Sequence, residues 1–144
     1  YINTSINTMK EKEGTTRRAK KFNSEELLKN LAKAMEVDKL FCDVNLTIES
    51  LADMMGTNRT YLSKTINDNF QMPFRQWLNS YRIEQSIQYM LHHPAANQEE
   101  IAKHSGFLSA SAFNHKFKAV TGTSPRLWLV EMSIGNKFKL EKED

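Results

Sequence analysis

The 144-residue sequence contains a single cysteine, Cys42, so no disulfide can form within the chain, and a reducing cytosol suits it. No apolar run approaches the roughly 20 residues of a membrane-spanning helix, and no secretory signal peptide is visible. The HExxH pattern of zinc peptidases, the GxSxG nucleophile turn, the phosphate-binding loop and paired cysteines are all missing. An enzyme therefore has little support, although Cys42 and a histidine remote in sequence can still meet in space. No catalytic residue, metal ligand or cofactor is assigned. His92 and His93 are adjacent and point to different sides of a helix, so they read as cations near its negative end rather than as metal ligands.

Net charge is also small, +3, but it is unevenly distributed. Residues 1–22 carry six Lys and Arg against two Asp and Glu, whereas residues 23–58 carry three against seven. Residues 59–126 return to eight against four, and the remainder has three against four. The basic excess thus lies in an N-terminal arm and in the part that holds two candidate recognition helices, which is compatible with a nucleic-acid face. At 40% hydrophobic residues the chain can build one modest domain or two small subdomains sharing a helix. It begins with Tyr rather than Met and is expected to be a fragment of a longer protein.

The most organised stretch is residues 99–128. Ile101, Ala102 and Ser105 have the spacing of a short helix packed on one face, and Gly106 can turn the chain at positive φ. Ser109 can cap a second helix whose apolar face is Ala112, Phe113, Phe117 and Val120. A short helix, a glycine turn and a second helix make a helix-turn-helix, whose second helix can lie in the major groove of DNA. Its outward residues are Ala110, Ser111, Asn114, His115 and Lys118.

The same design occurs earlier. Thr47 caps a helix to about Met55 with Leu46 set against Leu51, Gly56 ends it, and Asn58 caps the next. In that next helix Leu62, Ile66 and Phe70 face inward, while Arg59, Thr60, Ser63, Lys64 and Asn67 face outward. Leu51-Ala52 corresponds to Ile101-Ala102, Gly56 to Gly106, Leu62 to Phe113, Ile66 to Phe117 and Trp77 to Trp128. The offset is 50 residues before the turn and 51 after it, an internal repeat that implies two similar subdomains.

The remaining segments frame these two. Residues 1–22 show no apolar period and read as a linker or disordered arm. Its run Arg17-Arg18-Ala19-Lys20-Lys21 is suited to DNA phosphates or anionic lipid, or is simply solvated. Asn23 as cap, Glu26 completing a capping box and Phe22 stapled to Leu27 predict a first helix over 24–40, with Leu27, Leu28, Leu31, Ala32, Met35 and Leu40 as its stripe. A long helix from Phe74 to about Leu91 follows Pro73, with apolar residues on more than one side as a connector needs. Asn97 with Glu100 forms a capping box, and Ser124-Pro125 opens a last helix whose Leu127, Trp128 and Val130 or Met132 close the second core. From Asn136 the tail is charged and expected to fray. The division expected is an arm over 1–22, a first helix-turn-helix over 23–72, a connector over 73–93, a second helix-turn-helix over 94–133 and a tail over 134–144.

Gly106-Phe107, Phe113, Phe117-Lys118, Gly122 and Ser124-Pro125 resemble the second helix-turn-helix of the AraC/XylS family of bacterial transcription regulators. Leu51-Ala52, Tyr61-Leu62-Ser63 and Asn79-x-Tyr81-Arg82-Ile83 extend the similarity over roughly residues 25–132. The resemblance implies an all-α fold of about seven helices, in which two homeodomain-like helix-turn-helix subdomains are joined by a long central helix. Gln71, where members commonly have Gly, and Ser86, where Ala is usual, depart from the pattern and put local turn geometry in question. The function implied is a sequence-specific DNA-binding output domain reading two adjacent major-groove segments. Its partners would be double-stranded promoter DNA and RNA polymerase. Thr57 to Ser63 is similar to members whose sensor half holds tetratricopeptide repeats and a membrane helix, and a receiver domain upstream is the alternative. The location implied is the cytoplasm, or the cytoplasmic side of a membrane-anchored protein. A helical protein-interaction adapter without DNA binding is the competing reading, but it would display an exposed apolar stripe where both reading faces are polar.

Overall fold

The computed structural model describes residues 16–143, with side chains over 24–134. Among them are seven α-helices and no strand: α1 (Thr16–Glu36), α2 (Ile48–Met54), α3 (Arg59–Phe70), α4 (Phe74–His92), α5 (Gln98–His104), α6 (Ala110–Thr121) and α7 (Pro125–Glu143). A 3-10 turn, Leu40–Cys42, stands between α1 and α2. The chain forms two compact units, divided between Trp77 and Leu78 inside α4. The first runs through Leu40 and resumes at Asn45–Trp77; Phe41–Val44 belongs with the second.

Five of the seven helices begin on a side-chain cap at a residue singled out in the sequence; at α7, Ser124 Oγ accepts from the Leu127 N–H at 3.2 Å. Thr47 Oγ1 accepts from the Ser50 N–H at 3.0 Å, and Ser50 Oγ accepts from the Thr47 N–H at 3.0 Å, closing a reciprocal box. Asn58 Oδ1 accepts from the Tyr61 N–H at 2.8 Å and Ser109 Oγ from the Ala112 N–H at 3.1 Å. Asn97 Oδ1 accepts from the Glu100 N–H at 2.9 Å. Here the expected box is only half made, because the Glu100 carboxylate accepts from the Tyr89 hydroxyl at 2.5 Å. These bonds satisfy amide groups that a helix start otherwise leaves without partners.

α1 departs most from expectation. It begins at Thr16, takes in the end of the expected arm and runs through Asn23, which is therefore not its cap. It ends at Glu36, where the Val37 and Asp38 amides both donate to the Lys33 carbonyl, and Lys39 adopts φ +51°. Its buried face is Leu27, Leu31, Ala34 and Met35; Ala32 points to solvent. The basic run Arg17 to Lys21 lies outside the residues whose side chains are described.

In the first unit the buried apolar residues are those of α1 together with Leu46, Leu51, Ala52, Leu62, Ile66 and Trp77. Trp77 stacks on Phe70 at 5.6 Å and lies 6.1 Å from the Phe74 ring. The second unit has an aromatic core: Ile83, Met90, Ile101, Ala102, Phe107, Phe113 and Phe117, against which Ile87, Trp128 and Leu129 pack. Leu129 takes the place expected for Leu127, Val130 or Met132, all three of which are exposed, as are Leu91 and Val120. Full burial of a side chain such as Phe113 stabilises by about 1.5–3 kcal/mol relative to leaving it in water.

Phe41–Val44 is tied to the second unit by polar as well as apolar contacts. Arg82 Nε donates to the Phe41 carbonyl at 2.8 Å and Nη2 to the Asp43 carbonyl at 2.9 Å, while the Phe41 ring stacks on Tyr81 at 5.8 Å. Burial lowers the Arg82 pKa from its usual value, and nearby Asp43 opposes that shift. Gly106, at φ +86°, lies so close that a Cβ there would overlap the Phe41 carbonyl oxygen and crowd Cys42 and Arg82. The turn thus needs glycine for space as well as for conformation.

Candidate nucleic-acid interface

Each unit carries one helix-turn-helix, α2–α3 in the first and α5–α6 in the second. At both turns the amide after the glycine returns to the first helix: Thr57 N–H to the Ala52 carbonyl at 2.9 Å, and Phe107 N–H to the Ala102 carbonyl at 2.9 Å. The caps Asn58 and Ser109 then differ by 51 positions, so the residue added in the second turn is Leu108, 81% exposed.

All five sequence-predicted residues of the first face lie along α3. Arg59, Thr60, Lys64 and Asn67 are exposed and Ser63 is half-buried. They line a shallow depression together with Asp68. Both cations have a carboxylate. Arg59 Nη1 lies 3.0 Å from Glu49 Oε2 on α2, and Lys64 Nζ donates to Asp68 Oδ2 at 2.8 Å. The hydrogen bond and charge of Asp68 raise the Lys64 pKa above its usual value, so the ammonium is fully charged at neutral pH. These pairs are exposed and contribute little to folding.

On α6, Ser111, His115 and Lys118 are exposed, while Ala110 and Asn114 are half-buried. The Asn114 amide is already engaged: Nδ2 donates to Gln98 Oε1 on α5 and to the Ala110 carbonyl at 3.0 Å. Neither His115 nor Lys118 has an ion pair among the described residues, and no acidic residue occurs on α6. The second face therefore carries fewer cations, but those it has are uncommitted.

A helix-turn-helix domain model matches residues 51–130, more than half the chain. The chain belongs to the AraC-type helix-turn-helix family. Uncharacterised transcriptional regulators of Staphylococcus aureus are 29% identical over 82 residues, a match covering 57% of this chain and 11% of those proteins. The C-terminal domain of AraT, a response regulator from Geobacillus stearothermophilus, superposes with a TM-score of 0.65 at 25% identity, covering 71% of this chain and 82% of that one. The DNA-binding domain of the global transcriptional factor AdpA, solved with a target DNA, shares the fold with a TM-score of 0.61 at 24% identity, over 71% and 87% of the two chains. The AraC type is a family of DNA-binding regulator domains rather than of enzymes.

Two partners on the faces of this AraC-type chain escaped sequence reasoning. Lys64 and Asp68 stand four apart on one helix, a spacing that signals an ion pair. Glu49 and Arg59 lie on different helices, and nothing in their separation identifies them as neighbours. Two other features bear on chemistry. The Cys42 thiol meets the backbone carbonyl of His104 at 3.5 Å, while the His104 ring stacks on Tyr89 at 4.4 Å. No group of three or more His, Cys, Asp or Glu among the described residues is placed to hold a metal, and no helix among them is long and apolar enough to cross a membrane.

Proposed function

We propose that this chain is the output domain of an AraC-type regulator, reading two adjacent major-groove segments of promoter DNA with α3 and α6. The observation that carries the reading is that each unit presents the second helix of a helix-turn-helix with a polar outer face: Arg59, Thr60, Ser63, Lys64 and Asn67 on one, Ala110, Ser111, Asn114, His115 and Lys118 on the other. In this motif the second helix sits in the major groove with its N-terminal residues at base edges. The AdpA domain of the same fold, solved with its target DNA, supports the reading.

Arg59 and Lys64 supply much of the affinity at the first face, whereas the second is weaker and depends more on hydrogen bonds from Ser111, Asn114 and His115. RNA polymerase is the partner proposed for the whole regulator. Its signal response would come from an upstream sensor or receiver region, and its place of work is the cytoplasm. Selection of duplexes from a random pool identifies the target. On that target, Lys64→Ala costs about 1–3 kcal/mol and relaxes preference at one position if the lysine reads guanine. Unchanged affinity of the Arg59→Ala/Lys64→Ala double variant would remove α3 from the interface. A five-base-pair insertion between the two half-motifs rotates one by about half a turn and should abolish tight binding; affinity that survives it rules out simultaneous reading by both faces.

A further inference from the structure

The repeat supplies an internal control for the two ion pairs of the first face. At the observed offsets Arg59 corresponds to Ala110, Lys64 to His115, Asp68 to Ala119 and Glu49 to Glu99. The same carboxylate thus stands at the second residue of both leading helices, while the position corresponding to its partner holds an arginine in one unit and an alanine in the other. Glu49 reaches Arg59 at 3.0 Å, whereas Glu99 has no ion pair among the described residues. Lys64, at the middle of its reading helix, has an acid four residues on, whereas His115 at the same place in the second unit has an alanine.

We propose that Glu49 and Asp68 are specificity-determining residues of the first reading face, holding Arg59 and Lys64 for base edges and against indiscriminate attachment to phosphates. This rests on the reading of α3 as a DNA-docking helix and names what sets its selectivity.

Arg59 and Lys64 are the only basic residues on α3, and attraction to phosphates is independent of sequence. Left alone, both would attach the face to any duplex. A carboxylate beside each cation lowers the positive potential that a passing phosphate meets and repels the phosphate itself. It does not consume the donors. The contact to Glu49 is through Nη1, leaving the rest of the guanidinium fork, and Lys64 keeps N–H donors beyond the one given to Asp68. A guanine edge offers two acceptors in one plane, which such a pre-oriented fork can meet. A phosphate can also be gripped by such a fork, but it carries a full negative charge where the base edge is neutral, and so the carboxylates weaken phosphate contacts more than base contacts. The cations of the second face have no such partners, so specificity there has to come from hydrogen bonding.

The test compares the Glu49→Gln/Asp68→Asn variant with the unchanged 144-residue chain on two duplexes: the one recovered by random-pool selection, and an alternating dA–dT duplex with no guanine. The expected result is roughly tenfold tighter binding to the alternating duplex, a salt dependence steeper by about one to two phosphate contacts, and a change of less than about threefold on the selected duplex. Glu99→Gln, which removes an equal charge where no arginine faces it, should leave the ratio of the two affinities unaltered. Circular dichroism confirms that each variant is folded. An unaltered ratio in the double variant overturns the proposal, and so does a fall in the ratio of equal size per charge removed in Glu99→Gln, because overall charge would then account for it. If Arg59→Ala/Lys64→Ala leaves DNA affinity intact, the docking of α3 fails first; if that variant loses binding while the ratio stays put, only the role of the carboxylates is refuted.

Discussion

The two helix-turn-helix units share a frame and differ in what fills and what lines it. The frame is set by short-range bonds, so it recurs almost residue for residue. Leu51 and Ile101, Ala52 and Ala102, Leu62 and Phe113, Ile66 and Phe117 are all buried at the same places. Yet the second core is aromatic: Phe107, Phe113, Phe117 and Trp128 form a chain of ring contacts 5.4–6.1 Å apart. The first core is largely aliphatic at the equivalent depth, with Leu27, Leu31 and Met35 of α1 buried as well. The faces diverge further, into paired cations on α3 and mostly neutral hydrogen-bonding groups on α6. A repeat thus conserves its backbone solution while its surface is free to change, because capping and turn geometry tolerate few residue types and an exposed position tolerates many.

The largest difference between the units should appear at their turn glycines. A Cβ at Gly56 meets nothing within 4 Å, whereas one at Gly106 overlaps the Phe41 carbonyl oxygen. Gly56→Ala should therefore cost only the left-handed penalty of about 1–2 kcal/mol, and Gly106→Ala about 3–5 kcal/mol once backbone displacement is added. Trp77 and Trp128 report on separate units, so urea unfolding of single-tryptophan chains assigns the loss. Equal losses at the two glycines would break the distinction.

The helix ends offer a smaller contrast. Gly122 closes α6 at φ +85°, and its counterpart Gln71 closes α3 at φ +54°, with its amide donating to the Asn67 carbonyl at 2.9 Å. Its side chain also donates, from Nε2 to the Asp68 carbonyl at 2.8 Å, which offsets part of the strain. Gln71→Gly is expected to stabilise the first unit by about 0.5–1 kcal/mol, and Gly122→Gln to destabilise the second by about 1 kcal/mol. Thermal and urea unfolding measure both, and a loss of stability in Gln71→Gly would show that the side-chain bond outweighs the backbone cost.

The smallest effect concerns a contact within the second unit. Tyr89 donates to Glu100 and stacks between His93, at 4.2 Å, and His104, at 4.4 Å. The hydrogen bond to Glu100, then slight burial and the charge of Glu100, raise the phenol pKa above its usual value of 10.0. Because the folded-state value is the higher one, this contribution to stability is complete below pH 10.0 and is lost as pH rises through the folded-state pKa. Absorbance titration, with Tyr89→Phe identifying the signal, should find the midpoint above that of a free phenol, and Glu100→Gln should bring it down. An unmoved midpoint would mean that the hydroxyl does not bond the carboxylate in solution.

Most helix starts, the glycine turns and the 50/51-residue repeat were legible in the sequence, since a cap or a turn depends on residues within four positions of one another; the start of α1 at Thr16 instead of beside Asn23 was not. Thr47, Asn58, Asn97 and Ser109 all cap as their neighbours require. The outward residues of α3 and α6 followed from helical period alone, for an exposed face is defined by the buried one opposite it. The helical period erred at margins, placing Ala32, Ala112 and Val120 on buried faces although they are exposed, because the width of a buried stripe depends on what packs against it. Tertiary structure alone decided which partner each versatile side chain takes. Glu100 had a local use in its own helix cap and bonds Tyr89 instead. Asn114 is outward by period but gives its amide to Gln98. Arg82 serves carbonyls 41 and 39 residues away, and with them assigns Phe41–Val44 to the second unit. A polar group with several chemically adequate partners is settled by which of them folding brings within hydrogen-bond reach, and that distance is set by the packing of whole helices.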